Sequence, residues 1–203
     1  DETQRILYAT DASAYREVPV AVTRPAGTDD IKKIIAFART HGGSVIPRGA
    51  GTSLAGQVVG PGIVMDISRH LKRILEFNAV ERWVKVEPGV VLGDLNRWLA
   101  PHRLQFGPET STANRCCMGG MLGNNSCGAH SIIHGSVRDH ILEVDAVLSD
   151  GSEAHFCALT TEEFNAKCAG DPALLETMIY RNLRDILSDT RNAEEIRKEY
   201  PHS

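Results

Sequence analysis

The sequence predicts an α+β fold, a small βαβ lobe followed by a mixed lobe of short strands and a few helices. Three observations carry that expectation. Strand, helix and strand patterns follow one another within roughly thirty residues near the start of the chain, which is the order of a βαβ unit. Further on, an Asp-Gly pair sits between two apolar runs, the signature of a hairpin and so of antiparallel strands. Helical, charged sequence gathers after residue 160, whereas a doubly wound parallel sheet would alternate helices with strands throughout. The 203 residues suffice for one large domain or two small lobes with a sizeable core.

Each element has its own reason. Residues 18–24, VPVAVTR, read as the first strand. In residues 27–43, Ile31, Ile34, Ile35 and Ala38 recur at i, i+3, i+4 and i+7, one face of a helix. Thr28 is placed to cap it, Asp29 and Asp30 suit its positive end, and Gly42–Gly43 stop it. SVIP, residues 44–47, is the second strand. GIVMDIS (62–68) reads as an alternating strand, with LKRILEFN (71–78) and RWVKVEPG (82–89) as its neighbours in a meander. Residues 90–102, VVLGDLNRWLAPH, form a short helix with Leu92, Leu95, Trp98 and Leu99 on one side. ILEVDAVLSDGSEAHF (141–156) gives two strands joined at Ser149–Asp150–Gly151. From about residue 160 to the end the chain is helical.

Composition excludes several classes. A formal charge of -4 is the wrong sign for a general nucleic-acid binder. No apolar run is long enough to span a membrane and the start lacks a signal-peptide core, so the chain reads as soluble and cytoplasmic, with a peripheral membrane association left open. The five cysteines, Cys116, Cys117, Cys127, Cys157 and Cys168, are odd in number and contain no C-x-x-C pair. They read as reduced, mostly buried thiols, without a disulfide framework or a metal site.

The glycines are not spread evenly. Residues 42–62 hold seven and 119–135 hold five of the 18 in the chain. The first window contains VIPRGAGTSLAGQVVGPG, directly after a strand, with Arg48 beside it. Backbone N–H groups in such a loop form a concave nest for phosphate oxygens, and side chains beyond Cβ would obstruct it. Gly49, Gly51 and Gly56 fit that need, with the hydroxyls of Thr52 and Ser53 as further donors. Arg48 either offsets an anion's charge or braces the loop by pairing with a carboxylate. Both G-x-x-x-x-G-K-[ST] and G-x-G-x-x-G are absent, which excludes the common P-loop and Rossmann fingerprints. The plainer alternative is that the glycines serve tight turns in a compact fold.

The longer strings narrow the choice. PRGAGTSLAGQ, GIVMDISRHLKRILEFN, VEPGV and CMGGMLGNNSCGAHSIIHGSVRDHILEVDAVLSDG, in that order, resemble the FAD-linked oxidase family of the PCMH-type, or vanillyl-alcohol-oxidase, fold. The similarity runs from about residue 8 to the end and is greatest to bacterial FAD/FMN-containing dehydrogenases of the glycolate-oxidase-subunit and D-lactate dehydrogenase type. The resemblance implies FAD lying between two α+β subdomains, residues 1–68 with a pyrophosphate loop at 47–53, and residues 69–203 with the C-terminal helices. It assigns Arg48, Gly49, Ala50, Gly51, Thr52 and Ser53 to that loop, with Gln57 following closely. Pro108 and Glu109 fall near the flavin. Met118, Gly119, Gly120, Gly123, Asn125, Ser126 and Gly128 wrap the other side of the dinucleotide, and Val144 meets the adenine end through its backbone.

Two departures from the family pattern matter. Members that attach flavin covalently through this loop carry histidine where this chain has Thr52, so the FAD is expected to be non-covalent. His134 stands where a tyrosine is common. The resemblance further implies oxidation of a small 2-hydroxy acid of the glycolate, D-lactate or D-2-hydroxyglutarate type by hydride transfer to FAD. Electrons then pass to a quinone, a cytochrome or an iron–sulfur region. The family's GSEG-like segment and substrate-binding cap have no counterpart here, which reads as a fragment and leaves the catalytic base unassigned. The alternatives are an enzyme like UDP-N-acetylenolpyruvoylglucosamine reductase, which shares the fold but uses NADPH, and a non-catalytic nucleotide-binding module.

Other groups read more plainly. His130, His134 and His140 look structural or solvated, because flanking glycines break any helix that would align them and no acidic ligand joins them. Cys127 reads as a packing residue, with a redox-sensitive thiol near the flavin as the alternative, and Arg138–Asp139 as a local ion pair or a brace for the loop. The charges of 181–199 read as an exposed helical face.

Overall fold

A computed structural model describes residues 1–200 of the chain. These residues form two compact units, Asp1–Ile141 and a second beginning at Leu142.

The first unit opens with α1 (Glu2–Leu7), whose N-cap Asp1 accepts from the Gln4 amide. Next comes the βαβ unit, β1 (Ala21–Thr23), α2 (Thr28–Thr40) and β2 (Val45–Arg48), followed by β3 (Ile63–Asp66). The strands make one parallel sheet in the order β1-β3-β2. This corrects the expected meander: β3 is the central strand, not a neighbour of the two that follow it. All four of its residues are buried. A central parallel strand is covered on both faces, so the apolar run IVM reflects burial and not alternation. The cap of α2 is corrected too. Gly27 occupies the N-cap without a side-chain bond, and Thr28 is already helical. The acidic first turn still contributes, because Asp30 Oδ2 accepts from the Ala26 amide at 3.0 Å.

Two antiparallel strands follow, β4 (Ile74–Asn78) and β5 (Trp83–Val86). Beyond them α3 (Leu92–Leu99) buries Leu92, Leu95 and Leu99, as its spacing predicts. Trp98 departs from that pattern. It remains 39% exposed and meets Phe77 edge to face at a centroid distance of 5.0 Å. The main core joins these leucines to Val90, Cys116, Met118, Met121 and Val137. Truncating a core leucine to alanine in such a setting costs about 2–5 kcal/mol. Two short helices complete the unit, α4 (Met118–Gly123) and α5 (Ser131–His134).

In the second unit, β6 (Glu143–Val147) and β7 (Glu153–Cys157) pair antiparallel around the expected turn. Gly151 there has φ +87°, and Asp150 Oδ1 accepts from the Ser152 amide and hydroxyl. Three helices follow, α6 (Thr161–Ala169), α7 (Leu175–Ser188) and α8 (Thr190–Glu199). A Thr160/Glu163 capping box starts α6, and Lys167 pairs with Glu176 at 2.7 Å to tie α6 to α7. The charges from Arg184 onward are exposed as expected, and so are Met178, Leu183, Ile186 and Leu187, but Arg181 is half-buried and donates to the Cys168 and Gly170 carbonyls. All five cysteines are free thiols. Cys116, Cys117 and Cys168 are buried, while Cys157 and Cys127 are exposed, which overturns the packing role expected of Cys127.

Candidate functional site

The site starts where β2 ends. Residues 49–53 leave the sheet as an irregular loop. Gly51 has φ +67°, and a Cβ there would fall on the Arg48 guanidinium. Both facts demand glycine at this position. Arg48 itself runs along the loop's underside. Its Nη1 donates to the Tyr8 carbonyl at 3.2 Å, and its guanidinium sits over the Tyr8 ring, 5.1 Å from the centroid. Burial lowers its pKa, while Tyr8, Asp11 and Asp66 nearby oppose that fall. Of the two roles open to Arg48, the geometry favours bracing, with a tyrosine as partner in place of a carboxylate.

A buried carboxylate supports this corner. The parallel register sets Arg48 opposite Asp66. Asp66 is only 5% exposed, and it accepts from the Tyr8 hydroxyl at 2.6 Å, the Ser68 amide at 2.8 Å and the Ser68 hydroxyl at 2.6 Å. Desolvation of an ionised group is costly unless hydrogen bonds replace the lost water, and three donors do so here.

The loop's amides are differently placed. The Ala50 amide bonds to the Cys117 thiol, whose pKa burial pushes up against that bond. Among the described residues, the half-buried amides of Gly51, Thr52 and Ser53 meet no acceptor. Backbone donors without a partner inside the fold are left for water or a ligand. The Ser53 hydroxyl, expected to face a ligand, instead donates to Asp11 Oδ2 at 2.6 Å.

The second glycine-rich stretch lies against the first. A Cβ on Gly49 would meet Cys117 Cβ at 3.2 Å. Gln57 Nε2 donates to Asn124 Oδ1 at 3.1 Å, joining positions 67 residues apart. Between those two links lies α4, a helix in a stretch whose glycines argue for loop. Met118 and Met121 bury one side of it in the core. Gly119 sits against Pro88, where a Cβ would come within 2.6 Å of the proline ring. Gly120 and Gly123 face the other way, with nothing within 4 Å of an added Cβ. The result is a helix with one bare backbone face beside a loop with bare amides. Donors clear of side chains are what a diphosphate requires.

The remaining expected residues hold turns. Asn125, at φ +43°, accepts from the Arg138 amide at 2.9 Å. The Ser126 amide bonds to Met121 and its carbonyl to the Val137 amide, at 2.9 and 3.0 Å. Gly128 backs directly on the Glu109 carbonyl, and Pro108 is fully buried. Arg138 and Asp139 pair at 3.6 Å, and Asp139 also caps Ser136. Val144 lies in the second unit, on β6 opposite Phe156.

One expectation about the histidines is corrected. His130 is the N-cap of α5 and His134 its last residue, and both line one cleft of about 300 Å³ with Phe106, Glu109 and Ile133. Glu109 does join them, through a hydrogen bond to His130 Nδ1. Among the described residues no three His, Cys, Asp or Glu side chains are grouped to hold a metal.

Sequence reading missed the supports: Tyr8, Asp11, Asp66 and Cys117. For Asp66 there was a signal, a lone carboxylate inside an apolar strand, which is rarely tolerated without partners. For Tyr8 and Asp11 the contacts span 58 and 42 residues, and nothing local announces them.

Comparison with known proteins bears on the whole arrangement. The D-2-hydroxyglutarate dehydrogenase of Pseudomonas putida is 38% identical over 204 residues, covering 99% of this chain and 20% of that protein. Glycolate oxidase subunit GlcD of Bacillus subtilis is 31% identical over 150 residues, 72% of this chain and 32% of that subunit. The chain therefore spans about a fifth to a third of the length of these relatives. Among solved structures, Physcomitrella patens BBE-like 1 matches with a TM-score of 0.67 at 20% identity, over 79% of this chain and 35% of its own. The 6-hydroxy-D-nicotine oxidase of Arthrobacter nicotinovorans matches with a TM-score of 0.66 at 21% identity, over 77% and 34%. Those two show the α+β fold. The FAD binding domain family matches residues 19–156, a span that takes in both glycine-rich stretches and the α4 face between them, and the chain belongs to that family.

Proposed function

We propose that this chain holds FAD for a flavin-dependent oxidoreductase acting on a small 2-hydroxy acid of the glycolate, D-lactate or D-2-hydroxyglutarate type. One observation carries the reading: the two glycine-rich stretches, far apart in sequence, meet through Gly49 on Cys117 and Gln57 on Asn124. In this reading the amides of Gly51, Thr52 and Ser53 take pyrophosphate oxygens. Gly120 and Gly123 present the bare side of α4 to the dinucleotide, Met118 in the core and Gly119 against Pro88 hold that helix from behind, and Arg48 steadies the loop. Pro108, Glu109, Asn125, Ser126 and Gly128 shape the wall beside the flavin. The names of the relatives support the 2-hydroxy-acid class.

When bound, FAD supplies the two-electron acceptor for the hydride of the acid's α-carbon. The chain's own part is to bind, orient and exclude water. We infer non-covalent attachment, since Thr52 stands where a covalent member carries histidine and its hydroxyl does not form that bond. Titration of the purified chain with FAD, followed by flavin fluorescence, tests the reading. Saturable binding released by acid precipitation is expected. Absence of binding by both this chain and the full-length protein would overturn it.

A further inference from the structure

The family match begins at residue 19, yet the first eighteen residues contribute the groups that fix the pyrophosphate loop. Residues 8–16 form a closed strap. Glu17 donates to the Ala9 carbonyl at 2.9 Å, and Thr10 bridges Arg16 in antiparallel fashion. The strap is anchored through Tyr8 to Asp66, and Ala9 is wholly buried. It then touches the loop at three successive points. The Tyr8 carbonyl and ring hold Arg48, Asp11 holds the Ser53 hydroxyl, and the Tyr15 ring lies where a Cβ on Gly56 would go.

Asp11 is the central point. Its Oδ1 accepts from the Ser13 amide at 2.8 Å and its Oδ2 from the Ser53 hydroxyl at 2.6 Å. Burial works to raise its pKa, but those bonds and the nearby Arg48 charge hold it below the ordinary value. It is thus a carboxylate at neutral pH, an unfavourable charge to leave beside a diphosphate unless it has another task. That task is visible. With Oδ2 fixed on Ser53, the end of the loop is pinned while its amides at 51–53 remain bare.

We infer that the strap formed by residues 8–16, with Asp11 as positioning residue, is a working part of the FAD site that pre-shapes the pyrophosphate loop. This rests on the reading of residues 48–53 as the loop that holds the diphosphate. Ordering a loop before binding removes an entropy cost from association. Loss of the pin therefore weakens FAD without removing any group that touches it.

The test uses the full-length protein and five variants, with FAD affinity and hydrogen exchange of the 51–53 amides in the FAD-free state as readouts. Asp11→Ala is expected to bind FAD about tenfold more weakly, a shift of about 1.4 kcal/mol. Its loop amides exchange faster. Asp11→Asn rescues both readouts, because its carbonyl keeps Ser13 while its amide donates to Ser53 Oγ in reversed polarity. Ser53→Ala matches Asp11→Ala, and the double variant is no worse than either single one. Asp11→Ala binding and exchanging like wild type overturns the inference, and so does Asp11→Asn failing to rescue. Gly51→Val separates the two levels. If it binds FAD normally, the loop reading itself falls. If it loses FAD while Asp11→Ala keeps it, only the strap's role falls.

Discussion

Gly120→Ala should move stability and cofactor affinity in opposite directions. Nothing lies within 4 Å of a Cβ built at Gly120, so the apo chain accommodates the methyl group without a shift. Alanine in a helix is favoured over glycine by about 0.5–1 kcal/mol, since less backbone freedom is lost on folding. For a chain of this size that raises the midpoint of thermal unfolding by about 1–4 °C. With FAD packed on the same face the methyl group becomes an intrusion. Overpacking of this kind costs about 1–3 kcal/mol, or about 5- to 150-fold in Kd. Gly119→Ala is the control. Its Cβ would come within 2.6 Å of the Pro88 ring, so it should lower stability as well as affinity. The assays are thermal unfolding of the FAD-free chain and fluorescence titration with FAD. A Gly120→Ala chain that is more stable yet binds FAD like wild type would show that the bare face of α4 is not the cofactor face. A less stable one would refute the packing of α4 itself.

Two further expectations concern charge and thiols. Glu87 is buried and accepts from Arg73 through Nε at 2.9 Å, Nη2 at 2.7 Å and the backbone amide at 2.7 Å. Burial raises its pKa, but these bonds bring it below its ordinary value of 4.5. A carboxyl whose pKa is lower in the folded state than in the unfolded one stabilises the fold above the unfolded value, and that contribution is lost as the pH falls through the folded one. Wild type should therefore exceed Glu87→Gln in denaturant midpoint at pH 7, with the gap closing below about pH 4.5. A gap that persists unchanged at about pH 3 refutes the assignment. Thiol labelling of the native chain should modify Cys127 and Cys157 quickly, leaving Cys116, Cys117 and Cys168 for the unfolded state. Rapid labelling of Cys117 would mean that the floor beneath Gly49 is open.

What the sequence made legible follows from how local each signal is. The leucines of α3 and the Asp-Gly turn between β6 and β7 are set by residues within a few positions of one another, and both formed as expected. Helix α4 was hidden because three of its six residues are glycine, poor helix formers that lower any propensity score. Its actual cause is tertiary: Met118 and Met121, three apart, are drawn into the core that α3 provides, and the backbone between them must then coil. The misplacement of β3 has a similar origin. Its apolar run was legible, but whether a strand is covered on one face or two depends on partners elsewhere in the chain.

The same distinction explains which site residues were found and which were not. Glycine is visible wherever it clusters, so the surfaces that face outward, the 49–53 loop and the 119–123 helix, could be marked from the sequence. The loop offers the amides of Gly51, Thr52 and Ser53, donors that persist at any pH and are indifferent to side-chain identity. Behind the loop stand Tyr8 and Asp11, which reach 40 and 42 residues along the chain to Arg48 and Ser53. A substitution at Ala50, which is exposed, should change little of that support, whereas one at Asp11 should change the shape of the loop without touching its outer face. In the proposed site, then, the glycines that mark the outer face are legible in sequence, while the side chains that stand behind them are brought there only by the fold.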